Sequence, residues 1–392
     1  MFKKIYILLR LMRHFNFFFS IKFSISKPKP EEFLIYDYFT GKFFLRFFYA
    51  SQNNFIYTRK EKINLYVFFI SLINLPKSGT DKNFYFEYIK NYIQITNPKI
   101  ILTINDQDTN FWLLKKFFPK VVFTVIQNSL TFSGENSVLS RLKESKNFFR
   151  KLEIDYLFVY GEGRIREFTK YLKVNKKVIP IGSFKNNFYI NSKIKSSNKI
   201  VYISQFKNSP LNSINQSLYN LDKLILDLLL EFSKMNNLKI FILNKQKKVS
   251  MQQLEENYFR NILGEGNFTF LKESSPYEVL NNYNFYINID STLGYEALAR
   301  GKRVAFFNLR QKMTGDLSFK DNYYGFPYDK RKKGPFWTDS SNTKEFNRVM
   351  QFIIFSNEKK WKSIRNKFIK PIIEYDYGNK KLLKIINKYV AV

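Results

Sequence analysis

The chain has 392 residues, enough for two domains or a large pair of lobes, and 45% of them are apolar and 19% aromatic. With 14 Gly, 11 Pro, no Cys and one His, this composition excludes disorder, a collagen-like chain, a disulfide scaffold, thiol catalysis and iron–sulfur chemistry, and argues against any Ser-His-Asp or multi-histidine centre. Lys+Arg of 65 against Asp+Glu of 32 leave a net charge of +33, which points to a polyanionic partner, although abundant Lys, Asn, Ile, Phe and Tyr also read as the bias of an A/T-rich genome.

At the amino end, no stretch reaches the roughly 18–20 uncharged apolar residues that span a bilayer. Residues 1–25 come closest, but Lys3, Lys4, Arg10, Arg13 and Lys22 interrupt them. The apolar run 5–9 is too short for a signal-peptide core. At helical period Ile5, Leu8, Leu9, Met12, Phe15 and Phe19 share one side, and Lys3, Arg10, Arg13 and His14 the other. That is the pattern of a basic amphipathic helix at a membrane interface, or of a helix packed on the protein body. Residues 1–32 therefore form a separate segment, and Lys27-Pro28-Lys29-Pro30 reads as a linker.

From residue 33 short apolar runs alternate with longer helical patterns, the signature of βαβ units and a parallel sheet. Strands are expected at 33–38, 54–57, 99–104, 121–126, 156–160 and 177–181, with helices at 84–95 and 163–172 between them. Several of these strands are apolar throughout, as strands covered on both faces must be. Residues 185–198, rich in Asn, Ser and Lys, break the rhythm and read as a linker between a first domain (33–184) and a second (199–342). The second repeats the alternation, with strands at 199–203, 238–243, 267–271, 284–289 and 303–307 and a helix at 218–233. Residues 343–392 read as C-terminal helices. The expected fold is α/β, two doubly wound Rossmann-like lobes with a helical tail.

In open parallel sheets ligands bind beyond the carboxyl ends of strands, where helix N-termini offer free N–H groups and a positive dipole end. The run 290–303 has this form: it follows a strand, opens with Asp290, Ser291 and Thr292, and carries Gly294 and Glu296. Ser291 and Thr292 suit a phosphate, Gly294 a close approach, and Glu296 a sugar hydroxyl. The same residues also read as an ordinary N-cap with a solvated Glu. The basic run 329–334 is a further candidate for phosphate or lipid headgroups, or simply a solvated loop.

The run 290–303 resembles the nucleotide-sugar site of GT-B glycosyltransferases and, more closely, of bacterial O-antigen or surface-carbohydrate biosynthesis proteins. Phe123 to Ser129, Gly161-Glu162, Ile181 to Asn187, Tyr202 to Gln205 and Gly334 to Trp337 fit the same family, and together the likeness covers the chain from about residue 33 onward. It implies transfer of a sugar from a nucleotide-sugar donor to a growing surface glycan, with the donor on the second lobe and the acceptor on the first. By position, Asp290, Ser291, Thr292, Gly294, Glu296, Ser204 and Gln205 would bind the donor, and Gln127 and Asn128 the acceptor. Asp106 or Asp108, which follow a strand, would be the catalytic base. Family members often carry a His near Gln127; its absence here excludes a His base.

The resemblance implies no cofactor and no metal. The Asp106-Gln-Asp108 spacing also mimics the metal-binding pair of the other glycosyltransferase fold, which the two-lobe pattern argues against. A lipid-linked acceptor would place the enzyme in the cytoplasm, against the anionic inner face of the membrane. Two alternatives stand beside this reading. One is a nucleotide-sugar epimerase of the same fold; the other is a non-catalytic membrane- or polyanion-binding protein. Nucleic acid is the weaker partner, since no nucleic-acid motif appears.

Overall fold

The computed structural model describes residues 21–47, 54–59, 61–74, 84–130, 152–192, 198–207, 213–272, 275–289, 291–309 and 333–390. The amphipathic pattern over residues 1–20 and the basic residues 329–332 lie outside them.

In chain order the first lobe runs β1 (Lys22–Ser24), β2 (Phe33–Tyr36), α1 (Tyr38–Gly41), β3 (Phe55–Ile56), β4 (Lys62–Asn64), α2 (Leu65–Ile73), α3 (Phe84–Thr96), β5 (Ile100–Thr103), α4 (Thr109–Leu114), β6 (Val122–Ile126), β7 (Glu153–Val159), α5 (Glu162–Thr169) and β8 (Lys173–Pro180). Six of these strands form a parallel sheet in the order β3-β2-β5-β6-β7-β8, while β1 and β4 pair separately. β2, β5 and β6 are buried at every position, the apolar runs of the sequence made into a two-sided core. Each fully buried Val, Leu, Ile or Phe contributes about 1.5–3 kcal/mol.

Two of the departures from the sequence expectation have a plain physical cause. The strand from residue 33 stops at Tyr36, because Asp37 turns to a positive φ of 71° and its carboxylate caps α1 through the Phe39 N–H. The unexpected helix α2, capped by Asn64, reads Leu-Tyr-Val-Phe-Phe-Ile-Ser-Leu-Ile and is apolar all round, so it shows no helical period.

The second lobe runs β9 (Lys199–Ile203), α6 (Ser213–Met235), β10 (Lys239–Leu243), α7 (Val249–Leu263), β11 (Phe268–Leu271), α8 (Pro276–Asn282), β12 (Phe285–Asn288), α9 (Thr292–Ala299), β13 (Arg303–Phe307), β14 (Lys333–Gly334) and β15 (Trp337–Thr338). Its sheet order is β11-β10-β9-β12-β13-β15-β14, parallel except for β14. The order reverses at β9, so a crevice opens between the carboxyl ends of β9 and β12. In the first sheet the same reversal falls between β2 and β5.

Helices α10 (Thr343–Phe355) and α11 (Glu358–Ile369) cover the second lobe, and α12 (Lys380–Ile386) does not. Leu382, Ile386 and Val390 pack with Phe33, Ile35, Phe44 and Phe184 in the core of the first lobe. Between them the chain crosses from lobe to lobe. Ile372 and Ile373 lie in the second-lobe core, and their backbone passes so close to Gly161 that a side chain there would collide with it. Gly182, at a φ of 77°, is equally tight against the Glu374 carbonyl and bridges to Tyr375. Two doubly wound lobes and a helical tail are thus all present.

Candidate active site

The candidate site is built where α9 of the second lobe meets the strand ends of the first. Ser291 is the N-cap of α9, its hydroxyl accepting from the Leu293 N–H at 3.3 Å. Asn288, the last residue of β12, grips this turn from below. Its amide donates to the Ser291 carbonyl and accepts from the Ser291 N–H, both at 3.1 Å. Gly294 follows from that grip, because a Cβ there would overlap the Asn288 side chain. The sequence suggests that Gly294 admits a ligand; the close approach is instead made by the protein's own Asn288. Asp290 lies outside the described residues. Thr292 opens the helix partly exposed.

Glu296, just over one turn into α9, is buried, not solvated. Its neighbours come from both lobes. The Tyr277 hydroxyl lies 3.3 Å away, the Ser183 hydroxyl is in hydrogen-bonding contact, and Lys185 and Arg300 supply positive charge. Burial outweighs these partners and raises the carboxyl above the usual glutamate range. Ser183 and Lys185 come directly after β8, and Tyr160 directly after β7, so the first lobe presents its strand ends to Glu296. Tyr160 is fully buried; its hydroxyl is pushed well up by burial, and by the charges of Glu296 and Asp106 on its two sides.

Asp106 lies in the loop after β5, 2% exposed. Burial pushes its carboxyl up to about 7, against the opposing influence of the Asn128 N–H and the Arg164 charge. Its Oδ1 has no hydrogen-bond partner among the described residues. Asp108 has a different surrounding: it caps α4 by accepting from the Asn110 N–H at 3.0 Å and accepts the Tyr36 hydroxyl at 2.8 Å. Among the described residues the two aspartates have no partner in common. Among the described residues no three His, Asp or Glu side chains converge as a metal set would require.

The remaining predicted residues divide. Asn128 faces the cleft, its side-chain oxygen accepting from Lys185 Nζ at 3.2 Å and its carbonyl from the Tyr160 hydroxyl at 3.0 Å. Gln127 is turned inward, accepting from the Tyr160 N–H and donating to the Ser129 carbonyl. Ser204, at the end of β9, donates its hydroxyl to Glu255, and Glu255 in turn holds the N–H groups of Lys245 and Gln246. Gln205 stays half-buried beside it, with its carbonyl toward Lys245.

Nor do the cations after α9 face a phosphate. Arg300 donates to the carbonyls of Tyr277 and Tyr189, Lys302 to that of Ser192, and Arg303 to those of Ile353 and Ser356. Burial and the nearby Arg300 lower the Lys302 amine to about 8. Lys185 is the cation that sequence reasoning passes over. Burial and Lys247 of the β10–α7 loop lower its amine, so two lysines from opposite lobes approach the same space. A signal for it exists in the run 181–187, which fits the family pattern but overlaps the segment expected to be a linker.

Residues 124–390, well over half of the chain, match a family model described as "putative O-antigen biosynthesis protein". The chain belongs to this O-antigen biosynthesis protein family. No curated protein matches it. Among solved structures, a "putative UDP-N-acetylglucosamine 2-epimerase" from Listeria monocytogenes is 10% identical over 77% of either chain, with a TM-score of 0.50. A chain of the Glycosylation Associate Protein complex of Streptococcus agalactiae is 13% identical with a TM-score of 0.45; the match covers 81% of this chain and 61% of that one. A glycosyltransferase from Rickettsia africae is 12% identical over 81% of this chain and 84% of its own, with a TM-score of 0.44. At 10% identity the likeness to the epimerase, with its TM-score of 0.50, speaks for fold alone, and the two doubly wound lobes of this O-antigen family member are arranged in a GT-B-like way.

Proposed function

We propose that the protein transfers a sugar from a nucleotide-sugar donor to a lipid-linked surface glycan at the anionic inner face of the cytoplasmic membrane. One observation carries the reading. Glu296 of α9 in one lobe lies among Ser183, Lys185 and Tyr160 of the other, and Asp106 is a charged neighbour of the same Tyr160, so donor-type and acceptor-type residues meet at one junction between the lobes.

In this reading the donor diphosphate lies against the Ser291-capped end of α9, where the positive end of the helix dipole favours negative charge. Lys185 and Lys247 offset the charge that grows on the departing diphosphate. Glu296 accepts from a donor hydroxyl. Asp106 takes the proton from the acceptor hydroxyl; a carboxyl at about 7, whose Oδ1 has no partner among the described residues, is basic enough to do so. Asp108, already engaged as a cap, holds the loop that carries Asp106.

The test is a panel of nucleotide-sugar donors incubated with intact protein, with and without a lipid-linked glycan acceptor. Transfer to the acceptor, with release of the nucleotide, is expected. Conversion of the donor to an epimer without acceptor would replace the transferase with the epimerase reading. Absence of transfer, hydrolysis and epimer would overturn both.

A further inference from the structure

Seven of the fourteen large hydrophobic side chains that stand exposed among the described residues come from residues 23–73 of the first lobe, which marks that stretch for inspection. Contacts link several of the elements that carry them, starting from the edge of the first sheet. Edge strand β3 is flanked by α1, where Phe39 is 54% exposed, and contacts connect onward from there. Arg59 stacks on Phe39 at 4.3 Å, Tyr38 packs on Tyr57 at 5.0 Å, Lys62 sits over Tyr57 at 5.9 Å, and Lys62 pairs in register with Lys22 of β1. Beyond β1 lies α2. This unit exposes Ile25 at 77%, Phe69 at 58% and Ile73 at 73%.

The geometry points to this edge as a membrane-docking surface, one that lays the first lobe on an anionic phospholipid bilayer. Phe69 and Ile73 are four residues apart, on the side of α2 opposite the buried Val67 and Ser71, so they project together. A helix apolar on all sides leaves its outer face exposed among the described residues. Exposed cations interleave with these side chains at Lys22, Lys42, Arg46 and Arg59, whereas the exposed acid of the stretch, Glu32, is tied to Lys99. Aromatic and aliphatic tips among cations suit acyl chains beneath anionic headgroups, and suit a nucleic acid less, whose bases would not meet Phe69 and Ile73 on one helix face. The sequence that leads into β1 has the same character: residues 1–20 hold Lys3, Lys4, Arg10 and Arg13 and no acidic residue.

The surface deepens the proposed reading of a lipid-linked acceptor, yet it is testable without donor or acceptor. Full-length protein is sedimented with vesicles of phosphatidylglycerol and phosphatidylethanolamine, and with vesicles of phosphatidylcholine. Binding to the anionic vesicles is expected, falling at least about tenfold in a Phe69→Glu/Ile73→Glu double variant that keeps its far-ultraviolet circular dichroism. A Phe69→Trp variant supplies a second reading. Its added emission is expected to be quenched by brominated acyl chains, while Trp112, Trp337 and Trp361, all at most 2% exposed, stay silent. Double-variant binding equal to wild type overturns the surface, as does unquenched emission from the Phe69→Trp variant. So does a wild-type dimer that the double substitution dissociates, which would make the face a contact between copies.

Discussion

Ser183 hydrogen-bonds Glu296 across the division between the lobes, and Tyr160 and Tyr277 share that hydroxyl from either side. The contact joins the last strand end of the first sheet to the helix that opens the donor side of the second. A carboxyl group holds the two halves together at the point where catalysis is proposed.

That placement makes Glu296→Gln and Glu296→Ala distinguishable. The amide keeps the length and can still bond Tyr277 and Ser183, so thermal stability is expected to change little. The alanine leaves buried hydroxyls unsatisfied and is expected to lose about 1–3 kcal/mol. Both are expected to weaken nucleotide-sugar binding, measured by calorimetry. Undiminished affinity in both variants removes Glu296 from the donor site.

Asp106 predicts two pH effects of opposite kind. Its carboxyl is raised in the folded chain to about 7 from an unfolded value near 4, so the folded state binds the proton more tightly. The resulting stability is complete below the unfolded value and is lost as pH rises through about 7. Asp106→Asn is therefore expected to raise the melting temperature over wild type at pH 8, with much less gain at pH 4. Activity moves the other way. Transfer by wild type is expected to rise with pH through about 7, and the variant to lose roughly 10²–10⁴-fold. A flat pH profile with an active Asp106→Asn enzyme rules the residue out as base.

Lys185→Gln removes a half-buried cation without removing its reach to Asn128. A loss of about tenfold in nucleoside diphosphate affinity, with a weaker dependence on salt, is expected. Equal affinity at low and high ionic strength in both proteins would assign the lysine to Asn128 alone.

Gly294→Ala tests the Asn288 grip. Its methyl group must displace a side chain that holds the Ser291 turn at both its N–H and its carbonyl, at a cost on the order of 1–3 kcal/mol. A smaller Asn288→Ala side chain in the same molecule is expected to recover part of that loss. Additive losses in the double variant would show that the two residues do not compete for space.

The fold is legible where chemistry and period agree. Residues 199–203 and 303–307 are apolar runs between helical patterns, and both strands fall at those bounds. Alternation cannot reveal α2, because nothing on its surface is polar enough to set a phase. At the site, the cap at Ser291 can be read from residue type and position. The sequence does not tell that Arg300, Lys302 and Arg303 bend away to backbone carbonyls, since a cation beside a phosphate-type loop looks the same whichever way it turns. Tyr160 and Ser183 escape for a related reason: they matter through a contact between lobes some hundred residues apart in the chain, which no local pattern records.

The return of α12 to the first lobe has a consequence for synthesis. A chain emerging from the ribosome lays down all of the first sheet, then the whole second lobe, before Leu382, Ile386 and Val390 exist to cover one face of that sheet. Phe33, Ile35 and Phe44 must therefore wait, partly uncovered, until residues 382–390 are added. Whatever shields that face in the interval, a chaperone or the ribosome surface itself, is needed for as long as the second lobe takes to be made.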